Sequence, residues 1–163
     1  MMRLALAAAL LALTGAAPVR PVAEAPLVLT AMHLHDPWIV ADRASRTYHL
    51  FTRNEAAMTG DARLGTMMYA SRDLKHWTRP KLVFTLPAGS WAKAGSWAPE
   101  VHAWKGKWYL FTTFHDPAAT LGRSGRRTTY RRGTVLAVAD RIDGPYRLVR
   151  SCAPIVVCHH SCA

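Results

Sequence analysis

The chain has 163 residues, with 21 Lys and Arg against 10 Asp and Glu, which gives a formal net charge of +11 at pH 7. This length is enough for one modest domain with its own core and leaves no room for a second. A nucleic-acid or membrane-surface protein often has such a charge, but here most of the cations are scattered through predicted turns. The composition therefore gives no reason to predict a nucleic-acid partner.

The first 25 residues have the outline of a secretory signal peptide. A short cationic start, Met1-Met2-Arg3, precedes an apolar run from Leu4 to Leu13 and then small residues around Ala16 or Ala23. The apolar run is too short to span a bilayer, although a retained membrane anchor is the competing interpretation. We therefore expect residues 1–25 to be removed, the protein to be secreted or periplasmic, and no membrane contact after removal.

From Leu27 onward, short apolar and aromatic runs are separated by Gly, Pro, Asn and Asp, a rhythm typical of all-β proteins. Two units repeat: Pro37 aligns with Pro99, and Leu50-Phe51-Thr52 aligns with Leu110-Phe111-Thr112. A regular period of this kind indicates repeated structural units. The strands predicted are 37–41, 47–52, 65–71 and 80–85 in the first unit, and 99–103, 107–113, 133–139 and 146–149 in the second.

Four antiparallel strands per unit describe a blade of a β-propeller, so the sequence predicts an all-β propeller fold. Blade one spans about 27–88 and blade two about 96–150. A sandwich or other barrel is the alternative, since it also has many short strands but does not require the units to repeat. Two blades are fewer than closure needs, so we expect an incomplete propeller whose open edges allow self-association.

Two longer segments, 53–64 and 114–132, separate the second strand from the third in each unit and are predicted to be loops. The second segment contains a cluster of five arginines: Arg123, Arg126, Arg127, Arg131 and Arg132. A solvated loop is one interpretation of this cluster, and a contact with an anionic polymer or lipid is the other.

The composition changes abruptly after residue 150, where the last segment, 151–163, holds all three cysteines, Cys152, Cys158 and Cys162. Thiolates and imidazoles this close together can bind zinc, and a disulfide with one spare thiol is a second possibility. The spacing fits no common zinc framework well, so we predict a disordered tail, no metal and no cofactor. A truncated or out-of-frame end would explain the change in composition.

Several motifs together resemble family 43 of the glycoside hydrolases: HDPWIV from His35, YASRDLKHW from Tyr69, and SWAPEVHAWKGKWYLFTT from Ser96. Members of this family are five-bladed propeller enzymes that act on arabinose- and xylose-containing polymers. The resemblance covers about residues 27–150, which is less than half of such an enzyme. It implies a polysaccharide or oligosaccharide substrate and hydrolysis of O-glycosidic bonds with inversion.

The resemblance also assigns candidate site residues. Asp36 matches the general base of the family, at the start of the innermost strand of blade one. Glu100 matches a further carboxylate that orients the general acid, and the repeat suggests that it lies at the point of blade two equivalent to Asp36. Trp97 is expected near the sugar pocket, where an aromatic face stacks on a sugar ring, and His35 and His102 are expected to bind sugar hydroxyls.

Each assignment has a structural alternative. Asp36 before Pro37 is also typical of a turn, Glu100 of a solvated strand end, and each histidine of a structural role. Trp38 is predicted to lie in the core.

Inversion needs a carboxylate that deprotonates water and a carboxylic acid that protonates the leaving oxygen. In the family the acid is a Glu of the third blade, and this sequence has no Glu after Glu100. We therefore expect this chain to be inactive. The alternative function is a secreted carbohydrate-binding half-propeller without catalysis.

Overall fold

The computed structural model describes residues 25–151, which form two four-stranded antiparallel sheets and almost no helix. The first sheet contains β1 (Trp38–Asp42), β2 (Thr47–Arg53), β3 (Gly65–Ser71) and β4 (Lys81–Thr85). The second contains β5 (Ala94–Trp104), β6 (Lys107–Ser124), β7 (Arg127–Ala139) and β8 (Arg147–Ser151). A 3₁₀ turn at Leu29–Ala31 precedes β1, and a single helical turn, α1 (Ala56–Thr59), lies between β2 and β3.

Each sheet is a meander in which consecutive strands are neighbours, in the order β1-β2-β3-β4 and β5-β6-β7-β8. This is the blade arrangement that the repeat predicts, and a strand lies at each predicted position. The strands of the first sheet shift only slightly at their ends, but β5 begins about five residues earlier than predicted, β6 ends about eleven residues later and β7 begins about six residues earlier. The all-β prediction is therefore confirmed. Two blades do not form a closed ring, in agreement with the incomplete propeller expected from the sequence.

The two sheets pack against each other around a shared apolar core. The first sheet contributes Phe51 and Phe84, and the second contributes Leu110, Phe114 and Val135. These residues come from the buried face of each strand, as the two-residue alternation of a strand requires. A smaller cluster on the other face of the first sheet contains Leu50, Met67, Tyr69 and Trp77, with Met32 from the segment before β1.

Polar contacts also join the sheets. Lys81 Nζ donates to Asp143 Oδ2 at 2.9 Å, and the backbone N–H of Tyr146 donates to the carbonyl of Val83 at 2.8 Å. The indole N–H of Trp38 donates to the carbonyl of Val101 at 3.2 Å. Trp38 is only partly buried and packs against the shared core, rather than lying fully inside it as predicted. Its hydrogen bond also joins the first strand of one sheet, β1, to the first strand of the other, β5.

The prediction of a loop at 114–132 is wrong. Strand β6 continues to Ser124 and β7 begins at Arg127, so the segment is a β-hairpin that turns at Gly125, where φ is +58°. The β-branched and aromatic residues of the returning strand, Thr128, Thr129 and Tyr130, favour strand structure. The neighbouring arginines and glycines hide this preference in the sequence.

The signal-peptide prediction falls almost wholly on residues 1–24, and the cysteine tail on 152–163, both outside the described residues. Within the described range, no helix has the length and apolar character needed to cross a membrane.

Candidate active site

Asp36 is held at the entry to β1 by an unusual backbone conformation. Its φ is +48°, a region that L-residues rarely adopt and that Asp tolerates better than most. The backbone of His35, the residue before Asp36, is held by the buried hydroxyl of Thr52 on β2. This hydroxyl accepts from the N–H of His35 and donates to the carbonyl of His35, each at 2.8 Å. The backbone is therefore rigid, while the side chain of Asp36 remains 51% exposed.

His35 is the immediate partner of this carboxylate. Its Nδ1 lies 3.1 Å from Asp36 Oδ2, and both side chains are about half exposed. The imidazole can therefore donate to the carboxylate and fix its orientation. The predicted contact of His35 with a sugar hydroxyl stays a prediction.

The strand register shows that Asp36 and Glu100 are not equivalent in the repeat. Trp38 lies opposite Phe51 and Glu100 lies opposite Phe111, and these two phenylalanines are equivalent. Glu100 therefore corresponds to Trp38, and Asp36 corresponds to Ala98, which also precedes a proline and has a φ of +43°. The prediction that Asp36 and Glu100 occupy equivalent positions is therefore wrong by two residues, because Asp36 lies before β1 whereas Glu100 lies within β5.

Glu100 is positioned by residues of both sheets. Its Oε2 accepts from His102 Nε2 at 3.2 Å, and its side chain is 52% exposed. The imidazole of His102 lies between two aromatic rings, with centroid distances of 5.4 Å to Trp38 and 6.2 Å to Phe111. His102 thus links the carboxylate to the packing between the sheets, a structural role that the sequence left open beside sugar binding.

Trp97 lies against the base of the β6–β7 hairpin. The imidazole of His115 stacks on its indole with a centroid distance of 4.2 Å and an interplanar angle of 27°, and Arg132 Cζ lies 5.8 Å from the same ring. Burial and the nearby Arg132 charge lower the pKa of His115, which favours the neutral form of its imidazole. One face of Trp97 is therefore occupied by protein, so a sugar ring could stack only on the other face.

Three buried hydroxyls hold the irregular part of β5 that contains the Trp97-to-Glu100 motif. Ser96, at φ +71°, shares hydrogen bonds with Thr66 Oγ1 at 2.8 Å and with Thr112 Oγ1 at 3.1 Å. Thr112 also donates to the carbonyl of Trp97 at 3.3 Å. Sequence reasoning missed these residues, although Thr52 and Thr112 are the threonines of the repeated Leu-Phe-Thr motif. Each anchors the segment that carries the candidate site residues of its unit.

Asp36 and Glu100 make no direct contact in the described part of the chain. A cleft of about 740 Å³ lies at the edge of the first sheet, between Pro26 and the turn that contains Asp73 and Trp77, and neither carboxylate lines it. Within residues 25–151, no three or more His, Cys, Asp or Glu side chains are grouped in a way that could hold a metal ion.

These features, two propeller blades with an Asp-Pro entry and a Trp-Ala-Pro-Glu strand, are those of a glycoside hydrolase fold. The profile of the family described as glycosyl hydrolases family 43 matches residues 26–153. The chain therefore belongs to glycoside hydrolase family 43, as the resemblance predicted.

Solved structures support this assignment. An endo-arabinase from Bacteroides thetaiotaomicron is 27% identical, with a TM-score of 0.58, and the match covers 77% of this chain and 38% of the arabinase. An exo-β-1,3-galactanase from Phanerochaete chrysosporium, bound to β-1,3-galactotriose, has the same fold at 17% identity and a TM-score of 0.54, over 78% of this chain and 28% of that enzyme.

A putative exo-β-1,3-galactanase from Bifidobacterium bifidum has the same fold at 18% identity and a TM-score of 0.53, over 80% of this chain and 40% of that protein. The chain thus spans well under half of the length of each of these three structures. A search of curated protein sequences finds no match.

Proposed function

We propose that this chain carries the general-base part of an inverting glycoside hydrolase site for arabinose- or xylose-containing polysaccharides, with Asp36 as the base. The observation that carries the proposal is the geometry at Asp36: its backbone is fixed through Thr52 and its carboxylate is exposed beside His35. An inverting base must hold an attacking water in a defined position, and a rigid, solvent-accessible carboxylate can do so. Family membership and the likeness to the endo-arabinase support the substrate class.

Glu100 is the second carboxylate of the proposed site. Its hydrogen bond to His102 restricts the carboxylate, and the packing of His102 on Trp38 restricts the imidazole in turn. A carboxylate held in this way can orient a sugar hydroxyl or a neighbouring acid. Trp97, which is partly buried, is the aromatic side chain on which a sugar ring would stack.

We further propose that this chain of 163 residues turns over substrate slowly or not at all. A general acid needs a raised pKa, so that it is protonated at working pH. After Glu100 the sequence offers only Asp116, Asp140 and Asp143 as carboxylic acids. The hydrogen bond and charge of Lys107 lower the pKa of Asp140. Burial favours the neutral form of Asp143, but hydrogen bonds from Lys81 and Arg141 outweigh it and lower this pKa to about 2.

Asp116 instead uses its carboxylate to accept the N–H of Ala118 at 3.0 Å, two residues further along the chain. Asp140 and Asp143 therefore lack the environment of a proton donor, and the carboxylate of Asp116 is engaged within its own turn. Absence of a general acid costs about 10²- to 10⁴-fold in rate.

A carbohydrate-binding protein without catalysis is the second candidate. The observation in its favour is Trp104, which is 59% exposed at the end of β5 and lies edge-on to Tyr109 at 5.8 Å. An exposed aromatic ring of this kind is suited to stacking on sugars. Export from the cell, and self-association through the open sheet edges, are further proposals that fit either function.

Hydrolysis of an aryl α-L-arabinofuranoside and an aryl β-D-xyloside by the purified chain tests the proposal, with Asp36→Asn as the variant. Asp42→Asn is the matched control, because Asp42 lies at the other end of β1, where it accepts from Ser45 Oγ at 2.6 Å. We expect a weak rate that Asp36→Asn abolishes and Asp42→Asn leaves unchanged. Equal and measurable rates in all three proteins would show that Asp36 is not the base. Calorimetric binding of oligosaccharides without any turnover would favour the second candidate.

A further inference from the structure

The hairpin between β6 and β7 extends beyond the rest of the second sheet. Strand β5 begins at Ala94, opposite His115, and β8 ends at Ser151, opposite Val135. Residues 116–132 therefore project as a two-stranded ribbon, which we call the arm. Because neither β5 nor β8 reaches it, both edges of the arm are unpaired within the second sheet.

The arm has a strong positive charge. It contains five arginines and one acidic residue, Asp116, so its formal charge is 5 − 1 = +4. Its arginines are Arg123, Arg126, Arg127, Arg131 and Arg132.

The arginines of the arm also differ in their partners from two arginines of the loops. Arg63 and Arg141 each form an ion pair with a carboxylate two residues away, Asp61 and Asp143. Among the residues that the structure describes, no carboxylate pairs with four arginines of the arm, namely Arg123, Arg126, Arg131 and Arg132. The guanidinium groups of these four arginines therefore have hydrogen-bonding capacity available for an external anion.

One face of the arm continues the face of the sheet that carries Glu100. Residues directly opposite each other in an antiparallel pair, and residues two apart along a strand, share a face. Glu100 lies opposite Phe111, Trp97 lies opposite Thr113, and the next residue of β6 on this face is His115, opposite Arg132.

The same alternation extends the row along β7. Tyr130 lies two residues before Arg132, and Thr128 lies two residues before Tyr130, directly opposite Arg123. At about 3.3 Å per residue, the row from Arg132 to Thr128 is about 13 Å long. Aromatic and cationic side chains thus alternate along a row that begins at the proposed site.

We propose that this face of the arm binds the uronate groups of an acidic polysaccharide, so that the substrate of the proposed site is a xylan or arabinan that carries carboxylated sugars. The inference rests on the proposed carbohydrate function of Asp36 and Glu100. Guanidinium groups bind carboxylates through paired charge-assisted hydrogen bonds, and aromatic rings stack on the sugar between them. The continuity of the row with Trp97 and Glu100 favours a sugar polymer over other polyanions.

The test compares binding of glucuronoxylan with binding of the same polymer after chemical reduction of its carboxyl groups, measured by affinity electrophoresis and calorimetry. The variant is Arg123→Gln with Arg132→Gln. The control is Arg43→Gln with Arg72→Gln, which removes the same charge from positions outside the arm. We expect the wild-type chain and the control to bind glucuronoxylan alike. The arm variant should bind roughly tenfold more weakly, about the loss expected for one charge-assisted contact.

Three results would overturn the proposal: equal binding of native and reduced polymer, an arm variant that binds like the control, or single-stranded DNA or phosphatidylserine vesicles bound as tightly as glucuronoxylan. Failure of the proposed glycosidase function is distinguishable, because Asp36→Asn should abolish hydrolysis of the neutral aryl glycosides and leave uronate binding unchanged.

Discussion

Replacing Ser96 by alanine tests how the buried hydroxyls hold the segment that carries Trp97 and Glu100. Ser96 shares hydrogen bonds with Thr66 and Thr112, and all three side chains are almost fully buried. The substitution removes two hydrogen bonds, each worth about 1 kcal/mol net, and leaves the Thr66 hydroxyl without a partner, which costs about 1 to 3 kcal/mol. We expect the free energy of unfolding to fall by about 3 to 5 kcal/mol.

Thr66→Val provides the contrast within the same network. It removes one hydrogen bond, but Ser96 keeps its bond to Thr112, so the expected loss is about 1 kcal/mol. The double variant loses the same two hydrogen bonds but leaves no unpaired hydroxyl at Thr66, so its loss should be smaller than the sum of the two single losses by about 2 to 4 kcal/mol. Ser45→Ala, at an exposed hydroxyl bonded to Asp42, is the control and should cost less than about 1 kcal/mol.

Urea denaturation followed by tryptophan fluorescence measures these differences through the midpoint and slope. Two outcomes would refute the reasoning: a loss for Ser96→Ala no larger than that for Thr66→Val, or losses that simply add in the double variant. Either would mean that the hydroxyls do not act as a connected network.

Two further predictions concern the same region and the contact between the sheets. Gly95→Ala should destabilise the fold by about 3 kcal/mol or more, because φ is +115° and a Cβ would lie 2.8 Å from Phe114 Cα. Gly106→Ala, where φ is +73° and the space around the Cα is open, should cost only about 1 kcal/mol. Similar denaturation midpoints for the two variants would contradict this prediction. The pKa of Asp143 is lowered to about 2 by Lys81 and Arg141 despite the opposing effect of burial. Its contribution to stability is therefore complete above the unfolded pKa near 4 and lost as pH falls to about 2, and Asp143→Asn should flatten this part of the acid denaturation curve; an unchanged curve would contradict the assignment.

The strand pattern of both sheets could be predicted because alternation of buried and exposed residues, together with the turn residues, is a local property of the sequence. The strand structure of the arm could not be predicted from the sequence, because Arg, Gly and Thr in 114–132 suggest a polar loop. Only the strand pairing shows that Thr128 to Arg132 are extended. The contact between His102 and Glu100 was predictable in principle, because residues two apart on a strand share a face. The stacking of His115 on Trp97 was not predictable, because the two residues belong to different strands that pair with an irregular register.

The repeat that identifies the fold also explains why its two units supply different chemistry. The residue before the proline has a positive φ in both units, so the same backbone conformation occurs twice. In the first unit this residue is Asp36, which has a carboxylate, and in the second it is Ala98, which has only a methyl group. Two positions further on, the relation is reversed: the first unit has Trp38, which donates to the second sheet, and the second unit has Glu100. Each unit thus has a carboxylate at one of the two positions, and in the first unit the other position, Trp38, is used for packing. The Asp36→Asn and Ser96→Ala variants therefore test separate properties, the chemistry of the first unit and the support of the second.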